Sequence, residues 1–192
     1  DLSQATSFIR IFRNASSMNQ DLNGWDVSTI TNMQDAFLNA TSFNGDISAW
    51  DVGSVTTLAN MFRNAPNFNQ NLGNWNVSNV THMNRMFENA SSFNQDLSAW
   101  DVSNVSVMFQ MFLNATSFDQ NLGQWDISNV TNLIGMFDGV TLSIDNYDNT
   151  LIGWNTLEPS ETQIPENITF SGGNSDYCNG EAARISLTST PY

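Results

Sequence analysis

The sequence contains no lysine and a single cysteine, Cys178, among its 192 residues. Without a second cysteine an intramolecular disulfide cannot form, and a cysteine-rich metal site is excluded by counting. Because only five residues are basic and nineteen are acidic, the formal net charge is −14. A surface with this charge repels phosphate backbones and anionic lipid headgroups, so the composition argues against nucleic-acid binding and against electrostatic docking on a membrane.

Long hydrophobic runs are also missing from the sequence. None approaches the roughly 18 apolar residues of a membrane-spanning helix, and the chain opens with the polar segment DLSQATSFIR. We therefore predict no membrane insertion, and we expect any export signal or anchor to lie outside this chain. The hydrophobic content of 40% is nevertheless sufficient for a folded core, so the chain is not expected to be disordered.

What the sequence does contain is a repeat with a period of 25, the interval from Trp25 to Trp50, and one repeat unit is called a rung below. Five lines starting at residue 11 align without a gap, and the fourth reads MFENASSFNQDLSAWDVSNVSVMFQ. A fixed period indicates a stack of identical units. Residues 1–10 match the end of a line, and the register is lost after Phe137, because the next tryptophan is Trp154 rather than residue 150. The sequence predicts repeats over residues 1–140, with a partial rung at 1–10, and a C-terminal cap over 141–192.

Certain positions of the repeat are always apolar. One rung cannot bury a phenylalanine and a tryptophan alone, but stacked rungs place each ring on the equivalent ring of the next rung. The pattern therefore predicts columns of buried rings. The expected structural ladder consists of Trp25, Trp50, Trp75, Trp100 and Trp125.

The spacing of apolar residues within a rung predicts its secondary structure. Trp100 and Val102 alternate with polar residues, which is typical of a short strand, whereas Met108, Met111 and Phe112 lie three and four apart, which is typical of a helix. A hydroxyl row precedes the expected helices and would cap them. The row consists of Thr31, Thr56, Thr81, Ser106 and Thr131. We predict an α/β repeat solenoid, a right-handed, leucine-rich-repeat-like stack of short parallel strands and short helices with an irregular C-terminal cap.

A row of acidic and amide side chains follows each tryptophan and is expected to face outward, away from the ring ladder. We call this row the ridge. The ridge consists of Asp26, Asp51, Asn76, Asp101 and Asp126. One interpretation is a solvated face whose carboxylates accept hydrogen bonds from serine and backbone N–H groups in turns. The others are a binding surface for a cationic or polar partner, and a calcium site with a neighbouring row that includes Asp21, Asp46 and Asp96. Because no compact D-x-D-x-D-G loop is present, calcium is only a weak candidate, and no cofactor is expected.

Catalytic residues are not indicated by the sequence. His82, the sole histidine, occupies a position that holds asparagine, threonine or valine in other rungs, which is typical of a variable surface position rather than a general base. Cys178 has no nearby histidine or aspartate in a nucleophilic arrangement, and its segment DYCNGEAAR predicts cap packing and a short helix. We therefore predict that the protein is not an enzyme.

The repeat consensus MFxNAxxFNQDLSxWDVSNVTNM, followed by NYDNTLIGWNTL and FSGGNSDYCNGEAAR, resembles the BspA-like leucine-rich-repeat surface proteins of bacteria, which carry repeats of about this length. The resemblance covers residues 1 to about 185. It implies a leucine-rich-repeat solenoid, export to the cell surface, and a role in adhesion or protein binding. It implies no catalytic residues, and the ligands differ among members.

These observations predict a non-enzymatic extracellular adhesion or protein-binding module that recognises a protein, peptide or glycan surface through its exposed acidic and polar strand face. The isolated domain is expected to be monomeric. Two alternatives remain open at this point. One is an ice- or mineral-binding solenoid, suggested by the regular hydroxyl row, and the other is a structural spacer that holds a distant domain away from a wall.

Overall fold

The computed structural model of the protein describes residues 4–157 and 168–188. Within these ranges the chain forms two helices, α1 (Ile144–Trp154) and α2 (Glu181–Thr188), and no β-strand. Both helices follow the repeats. The predicted α/β solenoid of strand-plus-helix rungs is therefore wrong, because the rungs are built from turns and irregular backbone.

The predicted helix of each rung is replaced by consecutive turns because two of its residues have a left-handed backbone. Arg85 and Asn89, four positions apart, have φ values of 56° and 60°, whereas an α-helix needs φ near −60° throughout. Short bonds within the rung, such as Met86 N–H to Met83 C=O, still produce the spacing of three that imitated a helix. The same conformation recurs at Arg10, Asn14, Asp35, Asn39, Asn60, Asn64, Gln110 and Asn114, and glycines continue it at Gly135 and Gly139.

Backbone hydrogen bonds join each rung to the next in parallel, so that equivalent positions of neighbouring rungs lie side by side. Alternate residues of the turn segment donate to the following rung, as Phe62 N–H does to Met86 C=O at 2.9 Å and Asn64 N–H to Glu88 C=O at 2.8 Å. Each rung also contributes one residue to a series of isolated parallel bridges, which is too little pairing to form a strand. The bridges run through Ser7, Asn32, Thr57, His82, Val107 and Asn132.

The predicted helix caps are wrong for the same reason. The Thr81 hydroxyl does not accept a backbone N–H at the start of a helix but donates to the Thr56 carbonyl at 3.1 Å. The same bond, directed to the preceding rung, is made by Thr31, Thr56, Ser106 and Thr131. The hydroxyl row therefore joins neighbouring rungs, because each hydroxyl donates its hydrogen to a backbone carbonyl of the preceding rung.

The interior of the stack consists of parallel aromatic rings. The Phe62 ring lies 5.7 Å from that of Phe87 in the next rung and 3.8 Å from that of Phe68 in its own rung, nearly parallel to both. Trp50 and Trp75 are stacked at 6.3 Å with 7° between their planes. These rings are 0–3% exposed. Each rung thus buries its aromatic side chains against its neighbours, as expected of a repeat architecture.

A second column is polar and joins the rungs through side-chain amides. The Asn64 amide donates to Asn39 Oδ1 at 2.7 Å, and Asn89 donates to Asn64 Oδ1 at 2.6 Å. Asn14 and Asn114 extend this amide ladder at its two ends. Asparagine suits the position twice, because it tolerates left-handed backbone and carries both a donor and an acceptor. The ladder stops at Gly139, where a Cβ would contact Asn114 Oδ1.

The replacement Asn64→Ala is expected to lower the free energy of unfolding by about 2 kcal/mol, because it removes two amide bonds and places alanine in left-handed backbone. Urea unfolding monitored by tryptophan fluorescence measures the change. Asn64→Gly is the matched control, since glycine lacks the amide but tolerates φ of 57°. The glycine protein should be more stable than the alanine protein by about 1 kcal/mol. Equal stability of the two variants would contradict a backbone contribution.

Helix α1 closes the stack and supplies its last indole. Four additional residues separate Trp154 from the preceding tryptophan, but they are accommodated in the segment that forms α1. Trp154 therefore still donates its indole N–H to the Leu122 carbonyl, just as Trp125 donates to the equivalent carbonyl of Leu97. Its ring stacks on Phe137 at 6.2 Å. Although the sequence loses its register, Trp154 occupies the next position of the indole column in the structure.

Helix α2 confirms the short helix predicted within DYCNGEAAR, and a buried carboxylate of α1 holds it in place. Asp148 is 4% exposed. Its oxygens accept the backbone N–H groups of Cys178, Asn179 and Gly180 at 2.7–3.3 Å, directly before α2 begins. Burial raises the pKa of Asp148, but these three hydrogen bonds outweigh it, so the pKa lies below its ordinary value.

Candidate functional site

The ridge lies directly outside the indole column. Each tryptophan from Trp50 onward is 1–3% exposed and donates its indole N–H to a carbonyl of the preceding rung at 2.9–3.2 Å. A buried indole needs such an acceptor. The accepting carbonyls are those of Leu22, Ile47, Leu72 and Leu97. The bond fixes the backbone immediately before each ridge residue.

Each ridge side chain is held by a turn in its own rung. Asp101 Oδ1 accepts the backbone N–H of Ser103 at 3.1 Å and its hydroxyl at 2.6 Å. Bonds of the same kind, made to the residue two positions later, hold Asp26, Asp51, Asn76 and Asp126. This is the arrangement of an Asx-turn. The ridge carboxylates are therefore fixed in direction through one oxygen before any partner arrives.

The ridge carboxylates are exposed or partly exposed, and none of them forms a salt bridge with a described residue. The Ser28 hydroxyl and backbone N–H lower the pKa of Asp26, because they stabilise the ionised form. Asp26, Asp51 and Asp101 are exposed to solvent, and Asp126 is partly exposed. No salt bridge among residues 4–157 and 168–188 involves a ridge carboxylate. The ridge thus presents negative charge that no described cationic side chain neutralises by direct pairing.

The basic residues of the repeats lie elsewhere in the rung. Arg10 pairs with Asp35 at 3.1 Å, and Arg63 and Arg85 lie 3.0 and 3.5 Å from the buried carboxylate of Glu88. These positions belong to the turn segment and not to the segment that follows tryptophan. The separation of the two charge signs leaves the ridge acidic.

A groove of about 440 Å³, open to solvent, lies on the ridge between its last two members. Asp101 and Asp126 lie in its lining together with Trp100, Val102 and Gln124. Ser98, Ala99 and Ser103 complete the lining. Two carboxylates in one groove can accept hydrogen bonds from a cationic side chain while its methylene groups contact the apolar part of the lining. The groove is therefore a candidate site on the face that was selected from the sequence.

The neighbouring row that was considered for calcium is engaged in turns as well. Asp46 Oδ1 accepts the Ser48 backbone N–H at 2.9 Å, and this bond is the main cause that lowers the pKa of Asp46. Asp21 and Asp96 accept the N–H groups of Asn23 and Ser98 in the same way. Within the described parts of the chain, no group of three His, Cys, Asp or Glu side chains is arranged to hold a metal ion.

Sequence reasoning expected serine and backbone N–H groups in turns to bond these carboxylates, but it did not name the individual partners. Ser98 and Ser103 line the groove and fix Asp96 and Asp101, but neither was considered as a site residue. The signal was present, since a serine or glycine stands two positions after most members of both rows, as in DVS and DVG. Gln124 gave no such signal, because its position holds glycine, alanine or asparagine in the other rungs.

Comparison with known proteins gives one match. A family model described as "Mycoplasma protein of unknown function, DUF285" matches residues 1–65 and 46–150, which together span 150 of the 192 residues. No curated protein and no solved structure matches the chain. The resemblance to bacterial repeat proteins is therefore confirmed in part, at the level of a Mycoplasma-type repeat family, and the leucine-rich-repeat assignment is not confirmed. Neither α1 nor α2, the helices of the described residues, has the length and apolar character needed to span a membrane.

Proposed function

The chain belongs to the DUF285 family, and we propose that it is a non-enzymatic protein-binding module of a bacterial cell surface. Membership of this repeat family suggests a surface-associated protein. The partner is a positively charged segment of an extracellular protein or peptide, and it docks along the ridge. The BspA-like character of the repeats, read from the sequence, supports adhesion as the biological outcome.

The observation that carries this proposal is the groove at Asp101 and Asp126. Its two carboxylates are oriented by turns and lack a salt-bridge partner among the described residues, and Trp100 lies in the same lining. A lysine or arginine side chain of a partner would meet fixed acceptors there, so less conformational entropy is lost on binding. The outward members Asp26 and Asp51 extend the same surface over the earlier rungs.

The non-enzymatic part of the proposal is supported by how the polar side chains are used. The hydroxyls of the groove face donate to carboxylates of their own turns, as Ser103 does to Asp101. The exposed His82 lies 2.9 Å from the Thr81 hydroxyl, and that hydroxyl also contacts the Thr56 carbonyl. The Ser103 hydroxyl thus holds a turn, and the Thr81 hydroxyl joins two rungs. An enzyme would need such groups to remain available for its substrate.

The test compares two triple variants that change the net charge equally. Asp51→Asn, Asp101→Asn and Asp126→Asn remove three of the four ridge charges, whereas Asp21→Asn, Asp46→Asn and Asp96→Asn remove the three charges of the neighbouring row. Asparagine retains the turn-forming oxygen, so both proteins should fold. The probe is a fluorescein-labelled deca-arginine peptide, with binding measured by anisotropy at several salt concentrations. The ridge variant should bind about tenfold more weakly than the unmodified chain, from about 0.5 kcal/mol lost at each exposed charge pair.

The neighbouring-row variant should retain most of the affinity for the peptide. If both variants weaken binding equally, the interaction reflects net charge and not the ridge. If neither variant changes it, the ridge is not the binding surface. Affinity should also fall as salt rises for the unmodified chain, because exposed charge pairs are screened.

A further inference from the structure

Three asparagines are followed directly by glycine, and this order favours loss of the asparagine side-chain amide. The glycine nitrogen attacks the side-chain carbonyl, and glycine permits the attack best because it has no Cβ in the way. The peptide between the two residues must rotate for the nitrogen to reach that carbonyl, so the rate depends on what holds the peptide in place. The pairs are Asn23–Gly24, Asn44–Gly45 and Asn179–Gly180.

The peptide between Asn23 and Gly24 is the least restrained of the three. Gly24 is exposed, and a Cβ added to it would contact no atom within 4 Å in the described parts of the chain beyond its own neighbours. Its N–H donates to none of the described residues. The equivalent N–H groups of Asn74 and Ala99 donate to none of them either, so this freedom belongs to the position within a rung and not to the first rung.

The side-chain carbonyl of Asn23 is polarised by the next rung. The Ala49 N–H donates to Asn23 Oδ1 at 2.8 Å. A donor at this oxygen stabilises the negative charge that develops when the carbonyl carbon is attacked. For the attack, the turn must open at the bond from the Trp25 N–H to the Leu22 carbonyl, which is 2.9 Å long. Asn23 thus combines an activated carbonyl with a peptide that a short turn holds.

The other two pairs are held more firmly. Gly45 is buried, and a Cβ there would overlap the Gln20 carbonyl oxygen, so its peptide has no room to rotate. Gly180 is also buried, and its nitrogen is already engaged, because its N–H donates to Asp148 Oδ1 at 2.9 Å. In both pairs the surrounding structure must open before the reaction begins.

From these differences we infer that Asn23 is a site of spontaneous deamidation in the folded protein. The Gly24 nitrogen forms a bond to Asn23 Cγ, the bond from Cγ to the side-chain nitrogen breaks, and ammonia leaves with the proton of the Gly24 amide. Water then hydrolyses the cyclic imide at one of its two carbonyls, which leaves aspartate or isoaspartate at position 23. Either product adds a carboxylate between Asp21 and Asp26. The modification therefore makes the surface beside the first ridge residue more acidic without an enzyme.

Incubation of the purified chain at mildly alkaline pH, followed by peptide mapping with mass spectrometry, tests this inference. Electron-transfer fragmentation distinguishes isoaspartate from aspartate, and Asn44 and Asn179 are internal controls in the same sample. We expect Asn23 to deamidate at least about tenfold faster than either of them in the folded chain. In urea the three rates should become similar, because the folded structure no longer restrains the peptides.

Gly24→Ala is the matched variant, because Ala49 and Ala99 occupy the equivalent position and the variant should therefore fold as the unmodified chain does. Its Cβ should slow deamidation of Asn23 by roughly an order of magnitude, and circular dichroism verifies the fold. An unchanged rate in this variant would contradict attack by the residue 24 nitrogen. If Asn44 or Asn179 reacts as fast as Asn23 in the folded chain, or if Asn23 reacts only in urea, the inference is overturned.

Discussion

Trp75→Ala is expected to lower the free energy of unfolding by about 3–5 kcal/mol, the largest effect of any single substitution considered. Trp75 is 3% exposed and stacks on Trp50 at 6.3 Å. Its removal leaves a cavity between rungs that are held by their neighbours on both sides. Chemical denaturation followed by far-UV circular dichroism measures the loss, because the remaining tryptophans complicate a fluorescence signal.

Trp75→Phe separates the ring from its hydrogen bond. Phenylalanine keeps an aromatic ring in the column but cannot donate to the Ile47 carbonyl, which the indole reaches at 3.2 Å. We expect the phenylalanine protein to lose about 1–3 kcal/mol, less than the alanine protein, since part of the buried area is retained.

The same alanine substitution at the partly buried Trp25 should cost less than at Trp75. A larger loss at Trp25 would contradict the ladder as the source of stability.

Asp148→Ala is expected to release α2 from α1 and to lower the free energy of unfolding by about 3 kcal/mol, because hydrogen bonds to one charged group are worth about 1.5–3 kcal/mol and are not additive when they share that group. Three backbone N–H groups would lose a charged acceptor in a site that is 4% exposed. Hydrogen exchange should show faster exchange of the amides of α2, while the amides of the rungs change less. Asp145→Ala on the exposed face of α1 is the control and should cost under about 1 kcal/mol.

The pH dependence of stability should differ between the unmodified chain and the Asp148→Asn variant. Because the folded-state pKa of Asp148 is depressed, its contribution is present above the unfolded-state value of about 3.9 and is lost as pH falls through the folded-state pKa. The unmodified chain should therefore lose more stability than Asp148→Asn between about pH 5 and the acid limit. Parallel pH profiles for the two proteins would show that Asp148 does not carry this linkage.

The sequence was sufficient to predict the repeat and its buried columns but not the backbone that presents them. A fixed period decides which residues share a column, and burial of Phe62 and Trp75 follows from that alone. The spacing of three and four between Met108, Met111 and Phe112 predicted a helix, because turns closed by bonds to the third residue produce the same spacing. The left-handed asparagines, such as Asn64, carry a signal in their residue type, because asparagine tolerates this conformation, but Arg85 at φ 56° and Gln110 at φ 55° carry none.

The candidate site was predictable only in outline. The ridge residues were named from their position after tryptophan, and the structure places Asp101 and Asp126 in one groove. Turns in which serine and backbone N–H groups bond the carboxylates were expected in general, but the partner two positions later was not identified. The amide ladder through Asn64 was not predicted, because its geometry requires both the left-handed backbone and the rung spacing.

The position of Trp154 has a consequence for how relatives of this protein should be recognised. Its indole reaches the Leu122 carbonyl across 32 residues, whereas Trp125 reaches the equivalent carbonyl of Leu97 across 28. The spatial unit is thus defined by where the indole donates and not by a constant count of residues. Counting by strict periodicity therefore underestimates the number of units. An alignment anchored on the tryptophan and on the leucine that accepts its indole N–H, with a gap allowed between them, would include family members with longer loops.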